Sequence, residues 1–297
     1  MIMKKLFFLI LFHLLLITGI GAQTKKVIID ADTANGLDDV FAIARVLRSD
    51  KFELLGITAA QWKNQESYDL NTADLSWELN NTILNLMNKR EIPSLHGSEM
   101  IVGQSWGGDE PRESEATEFI IKKAMEMRDN EKLTIICLGA LTNISSAITL
   151  KPEIADKISL YILGAMYHLD KNAWDKNEYN VRNDLNAFDV ILNNKALEMV
   201  IMPANIGEKL IFKKKTTISQ LSGKKGIGEL IIKLWDRKDN EREERMIWDL
   251  ALIEAIINPE MAEQRIVSGP PENVQRKLTI YTQIDEKRMQ EDFWNIF

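Results

Sequence analysis

The 297-residue sequence predicts an α/β fold with a mostly parallel central sheet flanked by helices. Three observations predict it. Short apolar runs rich in β-branched residues alternate with longer segments of helical period along most of the chain. Runs such as Val27-Ile28-Ile29 and Leu133-Thr134-Ile135-Ile136-Cys137-Leu138 carry no polar face, which is the pattern of strands covered on both sides. Neither an internal repeat nor a Pro/Gly/Ser-rich linker divides the alternation.

Residues 1–22 stand apart from the fold. Lys4-Lys5 precede the apolar run Leu6 to Ile17 and the small-residue stretch Thr18-Gly19-Ile20-Gly21-Ala22, which reads as a secretory signal peptide cut near Ala22–Gln23. The expectation is a secreted or periplasmic protein, without stable membrane association after cleavage, in which residues 23–297 form one domain. The first strand is expected at Lys26–Ile29, before a helix at Asp38–Arg48 whose first turn is acidic. A second strand, Glu53–Thr58, leads to a helix at Ser67–Lys89, and a helix at Ser114–Arg128 precedes the strand Leu133–Leu138. Helix Leu141–Leu150, strand Ile158–Leu163, helix Leu185–Asn193 and strand Glu198–Met202 follow.

Composition narrows the function. With 37 Lys+Arg against 44 Asp+Glu the net charge is −7, which argues against a nucleic-acid partner. The single cysteine, Cys137, excludes an internal disulfide framework and thiolate-clustered metal sites, and three histidines make a His-rich metal site equally unfavourable.

In a parallel sheet the ligand sits beyond the carboxyl ends of the strands, so the residues after each strand carry the argument. The first strand runs into Asp30, Asp32, Asp38 and Asp39, four carboxylates within ten residues. Crowded like charges raise one another's pKa unless a cation or many donors compensate, and a hard divalent cation such as Ca²⁺ or Mg²⁺ is the simplest compensation. A helical first turn accounts for Asp38 and Asp39 but not for the other two. The second strand is followed by Trp62-Lys63-Asn64, where an asparagine is ordinary turn chemistry. Gly139-Ala140-Leu141-Thr142-Asn143 makes a tight turn that could offer a carbonyl ligand or a helix N-cap. The loop from Asn172 to Asn180 gathers amides and carboxylates suited to gripping several hydroxyls, or else forms a solvated loop. Asp249 lies in the apolar segment Met246–Leu252, which favours a buried ligand over a surface charge.

These elements, in this order and at this spacing, resemble the inosine-uridine nucleoside hydrolase family, whose members cleave the N-glycosidic bond of ribonucleosides with Ca²⁺. The resemblance covers most of residues 25–260 and implies a nucleoside hydrolase-like fold with a Rossmann-like core. It further implies Ca²⁺ as cofactor, a small-molecule nucleoside or ribosyl substrate and a homo-oligomer. Carried over by position, it makes Asp32 a metal ligand and general base, Asp39, Asp249 and the Thr142 carbonyl further ligands, and Asp38, Asn64, Glu178 and Asn180 the residues that hold ribose hydroxyls. Asn172, six residues before Glu178, would contact the 5′-hydroxyl, and Asp30 would orient its neighbours from behind.

The chain departs from the family's pattern at three points, the first being that the Asn64 segment is spaced differently from the family's short Gly-Asn version. The loop after Asp32 carries Thr33-Ala34-Asn35-Gly36 in place of a shorter Pro-Gly turn. Trp248 precedes Asp249 where inosine-uridine enzymes usually place a histidine that protonates the leaving base, and an indole cannot act as an acid at neutral pH. Stacking of the base on Trp62, Trp174 or Trp248, or proton donation by His168, are the substitutes the sequence offers. A ribosyl-binding protein without turnover is the alternative this departure motivates. A phosphatase of the haloacid-dehalogenase type is a weaker one, because Ala34 stands where that motif wants Thr or Val.

Overall fold

A computed structural model describes residues 24–63, 69–239 and 241–297. The signal-peptide reading of residues 1–22 lies outside them. The expected strands are present, shifted by two residues at most: β1 (Lys25–Ala31), β2 (Phe52–Ala59), β4 (Leu133–Cys137), β5 (Ile158–Leu163) and β8 (Glu198–Met202), with the two-residue β3 (Ser94–Leu95) and the hairpin β6 (Met166–His168) and β7 (Ala173–Asp175) between them. The helices among them are α1 (Asp38–Leu47), α2 (Thr72–Leu86), α3 (Glu115–Met125), α4 (Thr142–Leu150), α5 (Tyr179–Asn183) and α6 (Leu185–Asn193).

Helix ends differ from the periodicity for local reasons. α2 begins at Thr72 because Glu99, distant in sequence, accepts from the Thr72 and Asp74 amides at 2.8 and 3.0 Å. It stops before Asn88, whose φ of +56° lies in the left-handed region that terminates helices. Ser114 caps α3 by accepting from the Thr117 amide at 3.1 Å.

Beyond β8 come α7 (Ala204–Gly207), β9 (Ile211–Lys213), α8 (Lys214–Leu221), α9 (Ile227–Asp239), β10 (Glu244–Met246), α10 (Trp248–Ile257), β11 (Ala262–Ser268), β12 (Lys277–Ile284) and α11 (Glu286–Ile296). The eight-stranded sheet has the order β11-β12-β8-β5-β4-β1-β2-β3. Every described pairing in it is parallel except β11 with β12.

Successive residues of each central strand feed two cores. Val27, Ile29 and Ala31 of β1 and Ile136 of β4 join the cluster formed with α1, α9, α10 and α11. Ile28, Leu133, Ile135 and Cys137 join the opposite cluster with α3, α4 and α6. Both faces being covered, the strands have no polar side, which is why they read as continuous apolar runs.

From β1 the chain proceeds outward through β2 and β3 on one side and through β4, β5, β8 and β12 on the other. The strand order therefore reverses between β1 and β4, and the loops leaving their carboxyl ends diverge to open a crevice there.

Within the first core lies a buried ion pair. Arg45 of α1 is 3% exposed and donates through Nε to Glu254 of α10 at 2.6 Å and through Nη2 to the same carboxylate at 3.4 Å. It also meets Asp292 of α11 at 2.6 Å, and Asn258 donates to both carboxylates at 3.2 and 3.1 Å. A buried guanidinium is tolerable only when its donors are met in this way. Removing it strands a fully buried Glu254, so Arg45→Met is expected to cost about 3–5 kcal/mol of stability, read as a lowered midpoint in denaturant unfolding.

Candidate functional site

The crevice at the switch point is a cleft of about 400 Å³, within the range of small-molecule sites. Asp32, Asn35, Asp38, Asp39, Glu178, Asn180, Trp248 and Asp249 are among its lining residues. Hollows of about 420 and 710 Å³ elsewhere have different linings: one lies around Lys25, Lys132 and Tyr161, the other around Trp174 and Arg265. Chemistry therefore selects the cleft, because only there, among the described residues, do three potential metal-ligating side chains converge. Carboxylate oxygens of Asp38, Asp39 and Asp249 lie within 4.8 Å of one another. Asp38 and Asp39 open α1 and Asp249 sits in the first turn of α10, so two helix N-termini direct their positive ends at the cluster.

Asp32 follows β1 and is 2% exposed. Asn35 Nδ2 donates to its Oδ2 at 3.0 Å, and the Tyr179 hydroxyl donates to Asn35 Oδ1 at 3.1 Å. The longer loop after Asp32 thus supplies a side chain that orients the acid. Thr33 anchors that loop by donating to Asn80 of α2 at 2.6 Å. At Gly36 an added Cβ would sit 2.3 Å from the Asp38 carboxylate, which excludes any other residue without a shift. Burial first, then the charge of Asp38, pushes the Asp32 carboxyl up to about 8. Asp249 is pushed well above the usual carboxylate range by burial and by the charges of Asp38, Asp39 and Asp32.

Asp30 is fully buried behind the cleft. It accepts from Thr58 of β2 and, at 2.9 Å, from Asn143 of α4, tying together the carboxyl ends of three neighbouring strands. Burial raises it to about 6 against the lowering pull of those hydrogen bonds. Asn143 also donates to the Ala59 carbonyl at 3.0 Å.

Thr142 starts α4. Its hydroxyl donates to Asp184 at 2.7 Å and accepts from Gln61 at 3.3 Å, while its carbonyl accepts from Ser145 Oγ at 3.2 Å. Glu178 caps α5, accepting from the Asn180, Val181 and Ala165 amides at 3.1 to 3.2 Å. Burial raises its carboxyl and those amides lower it. The Asn180 side-chain Nδ2 donates to the Leu138 and Leu163 carbonyls at 2.8 and 3.2 Å, which aligns it with the ends of β4 and β5.

Other expected residues fall elsewhere. Asn64 lies outside the described residues. Asn172, at φ +49° in the β6–β7 turn, is exposed and lines the hollow beside Trp174 and Arg265 instead of the cleft. His168 ends β6 and is absent from the cleft lining, while Trp174 donates to the Ser268 carbonyl at 2.8 Å, away from it. Of the three tryptophans considered for stacking, Trp248 lines the cleft. Sequence reasoning passed over Asn35, Tyr179, Asn205, Glu208 and Arg245, which line it too. Asn35, as part of the lengthened loop, and Tyr179, between Glu178 and Asn180, left a trace in the sequence; the other three did not.

A mostly parallel sheet whose switch point carries a carboxylate-rich cleft defines an α/β protein with a candidate small-molecule site. The family model of the inosine-uridine preferring nucleoside hydrolases matches residues 27–291, and the chain belongs to that family of hydrolases acting on N-glycosyl compounds. It is similar to the probable uridine nucleosidase 2 of Arabidopsis thaliana, 24% identical over 227 residues that cover 71% of this chain and 69% of the relative. The inosine-uridine preferring nucleoside hydrolase of Crithidia fasciculata is 28% identical over 184 residues, and this match spans 57% of each chain. The solved structure of an inosine-guanosine nucleoside hydrolase superposes with a TM-score of 0.71 at 18% identity, covering 92% of this chain and 98% of that one, a likeness of fold.

Gly139 tests how tightly Asp32 is held. A Cβ there would stand 2.9 Å from Asp32 Oδ1 and 3.0 Å from its Cβ and Cγ. Gly139→Ala is expected to displace the Asp32 carboxylate and lower the hydrolytic rate by about tenfold or more while the protein stays folded. A melting curve beside a ribose-release assay checks both halves.

Proposed function

We propose that this protein hydrolyses the N-glycosidic bond of ribonucleosides to ribose and free base, with Ca²⁺ held by Asp32, Asp39, Asp249 and the Thr142 carbonyl. The observation that carries this reading is the approach of the Asp38, Asp39 and Asp249 carboxylates to within 4.8 Å in a cleft that Asp32 also lines. The donor set fits the cation. Every side chain of the cluster offers a carboxylate oxygen, the preference of Ca²⁺ rather than of softer metals, and like charges this close need a cation to remain ionised together. When bound, the cation would orient the sugar diol and acidify a water.

The chain's own residues supply the rest. Asp32, oriented by Asn35, takes the proton from the attacking water. Asp38, Glu178 and Asn180 hold ribose hydroxyls, and the backbone bonds that fix Glu178 and Asn180 mean little rearrangement is needed when the sugar arrives. Breaking the C1′–N bond builds positive charge on the ribose, which the surrounding carboxylates stabilise. Trp248, beside Asp249, offers the departing base a flat apolar face. Asn172, exposed in the β6–β7 turn, and His168, at the end of β6, take no part in this reading; the Thr142 carbonyl, like them absent from the cleft lining, enters it through the family's pattern alone.

A panel of purine and pyrimidine nucleosides, assayed for reducing sugar with added Ca²⁺ and with chelator, tests the proposal. Ribose release is expected only with Ca²⁺, and Asp32→Asn is expected to lower it by about 10²–10⁴-fold. Tight nucleoside binding without turnover would instead support the ribosyl-binding alternative.

A second expectation follows from the raised carboxyls. Without the cation, Asp32 keeps its proton up to about 8 and Asp249 is raised as well, yet a ligating carboxylate must be deprotonated. Cation binding should therefore expel protons, and affinity should strengthen as pH rises toward about 8. Calorimetry in two buffers of different ionisation enthalpy measures the protons released, and a heat independent of buffer would count against the assignment.

A further inference from the structure

The buried ion pair between Arg45 and Glu254 joins the same two helices that bring the carboxylates together. α1 carries Asp39 in its first turn and Arg45 six residues later, and α10 carries Asp249 in its first turn and Glu254 five residues later. At about 1.5 Å per residue the two charged partners sit about 9 and 7.5 Å below the respective ligands, at nearly the same depth. Both helices begin at the cleft and pack against each other. They are therefore linked by two rungs of opposite character. The upper rung sets like charges within 4.8 Å of each other, and the lower joins opposite charges at 2.6 Å.

We infer that the Arg45–Glu254 pair is the positioning element of the cation site, setting the separation and rotation of α1 and α10 and thereby the spacing of Asp39 and Asp249. The inference rests on the Ca²⁺ reading above. Apolar packing between the helices is non-directional and would tolerate the small slide or splay that repulsion at the upper rung favours. A guanidinium engaged at both carboxylate oxygens fixes distance and orientation together. Stability alone does not account for it, because an apolar pair of similar volume in a core is often as stable or more so. Asp292 and Asn258 complete the hydrogen bonding around the pair without reaching the cleft, so the pair is held from three helices or their ends, of which α1 and α10 carry ligands and α11 carries none.

The test is Ca²⁺ titration by calorimetry on the whole protein, each variant held well below its melting midpoint. Glu254→Gln is expected to raise the Kd by about tenfold or more, the range seen when groups that orient metal ligands are removed. Arg45→Lys keeps the charge but loses the two-point grip, and is expected to raise the Kd by about threefold or more. Ile191→Ala, which opens a cavity in the opposite core, is expected to lower stability and leave the Kd within about twofold. Saturating Ca²⁺ should restore much of the turnover lost in Glu254→Gln, since the reacting groups are intact. Wild-type Kd in both pair variants, or equal weakening in Ile191→Ala, would overturn the inference. If Glu254→Gln does not fold, Arg45→Lys decides it. Absence of Ca²⁺ binding by the wild-type protein would instead bring down the cation reading and this inference with it.

Discussion

Four carboxylates cannot crowd into one largely buried cleft without something to oppose their repulsion, and much of this structure is arranged around that constraint. Asp32, Asp38, Asp39 and Asp249 line one crevice, and the raised carboxyls of Asp32 and Asp249 express the cost. Two helix N-termini face the cluster, an amide from the extended loop donates to Asp32, and Asp30 is neutralised in part by Thr58 and Asn143. None of these donors carries a full positive charge; among the described residues that line the cleft Arg245 is the one side-chain cation, a single charge against four carboxylates. A divalent cation would supply what is missing, which is why the electrostatics and the proposed chemistry point to the same occupant.

The scaffold converts that local tension into a defined geometry. Parallel strands covered on both faces are among the most rigid places on which to mount loops, and the reversal of strand order between β1 and β4 opens space there without breaking a strand pair. Asp30 illustrates the coupling: one buried side chain binds the ends of β1, β2 and α4 into a single platform behind the reacting groups. On the other face of the sheet's switch region, the Arg45 network fastens α1 to α10 and to α11. The site is thus braced from behind by neutral hydrogen bonds and from the side by an ion pair.

The absence of a histidine before Asp249 leaves the leaving group to other devices. Trp248 keeps its place in the cleft, packed partly on the core, and the lining on that side includes Asn205, Glu208 and Arg245. An indole cannot donate a proton to the base, but it can bind its face, and a base that is stacked rather than protonated departs best when it already carries its charge well. On the proposed reading, the Trp248 departure bears on substrate choice more than on the hydrolytic step.

Most of the sheet and the acidic motif were legible in the sequence because both depend on short-range order. β1, β2, β4, β5 and β8 are buried on both faces and so announce themselves as apolar runs, and Asp30, Asp32, Asp38 and Asp39 are neighbours in the chain. The hairpin β11–β12 was not legible: Glu263, Gln264, Arg265 and Ile266 are exposed on an edge strand whose alternation is masked by its open side. Nor could the sequence show that Asn35 would turn back onto Asp32, that Asn172 would point away from the cleft, or that Glu254 would meet Arg45 more than two hundred residues away. Local pattern determined the strands, the helix starts other than that of α2, and the chemistry available at the first strand's end. Which of those groups meet, and at what distance from Asp249, was decided by the packing of α1 against α10, a contact between distant segments that no local spacing encodes.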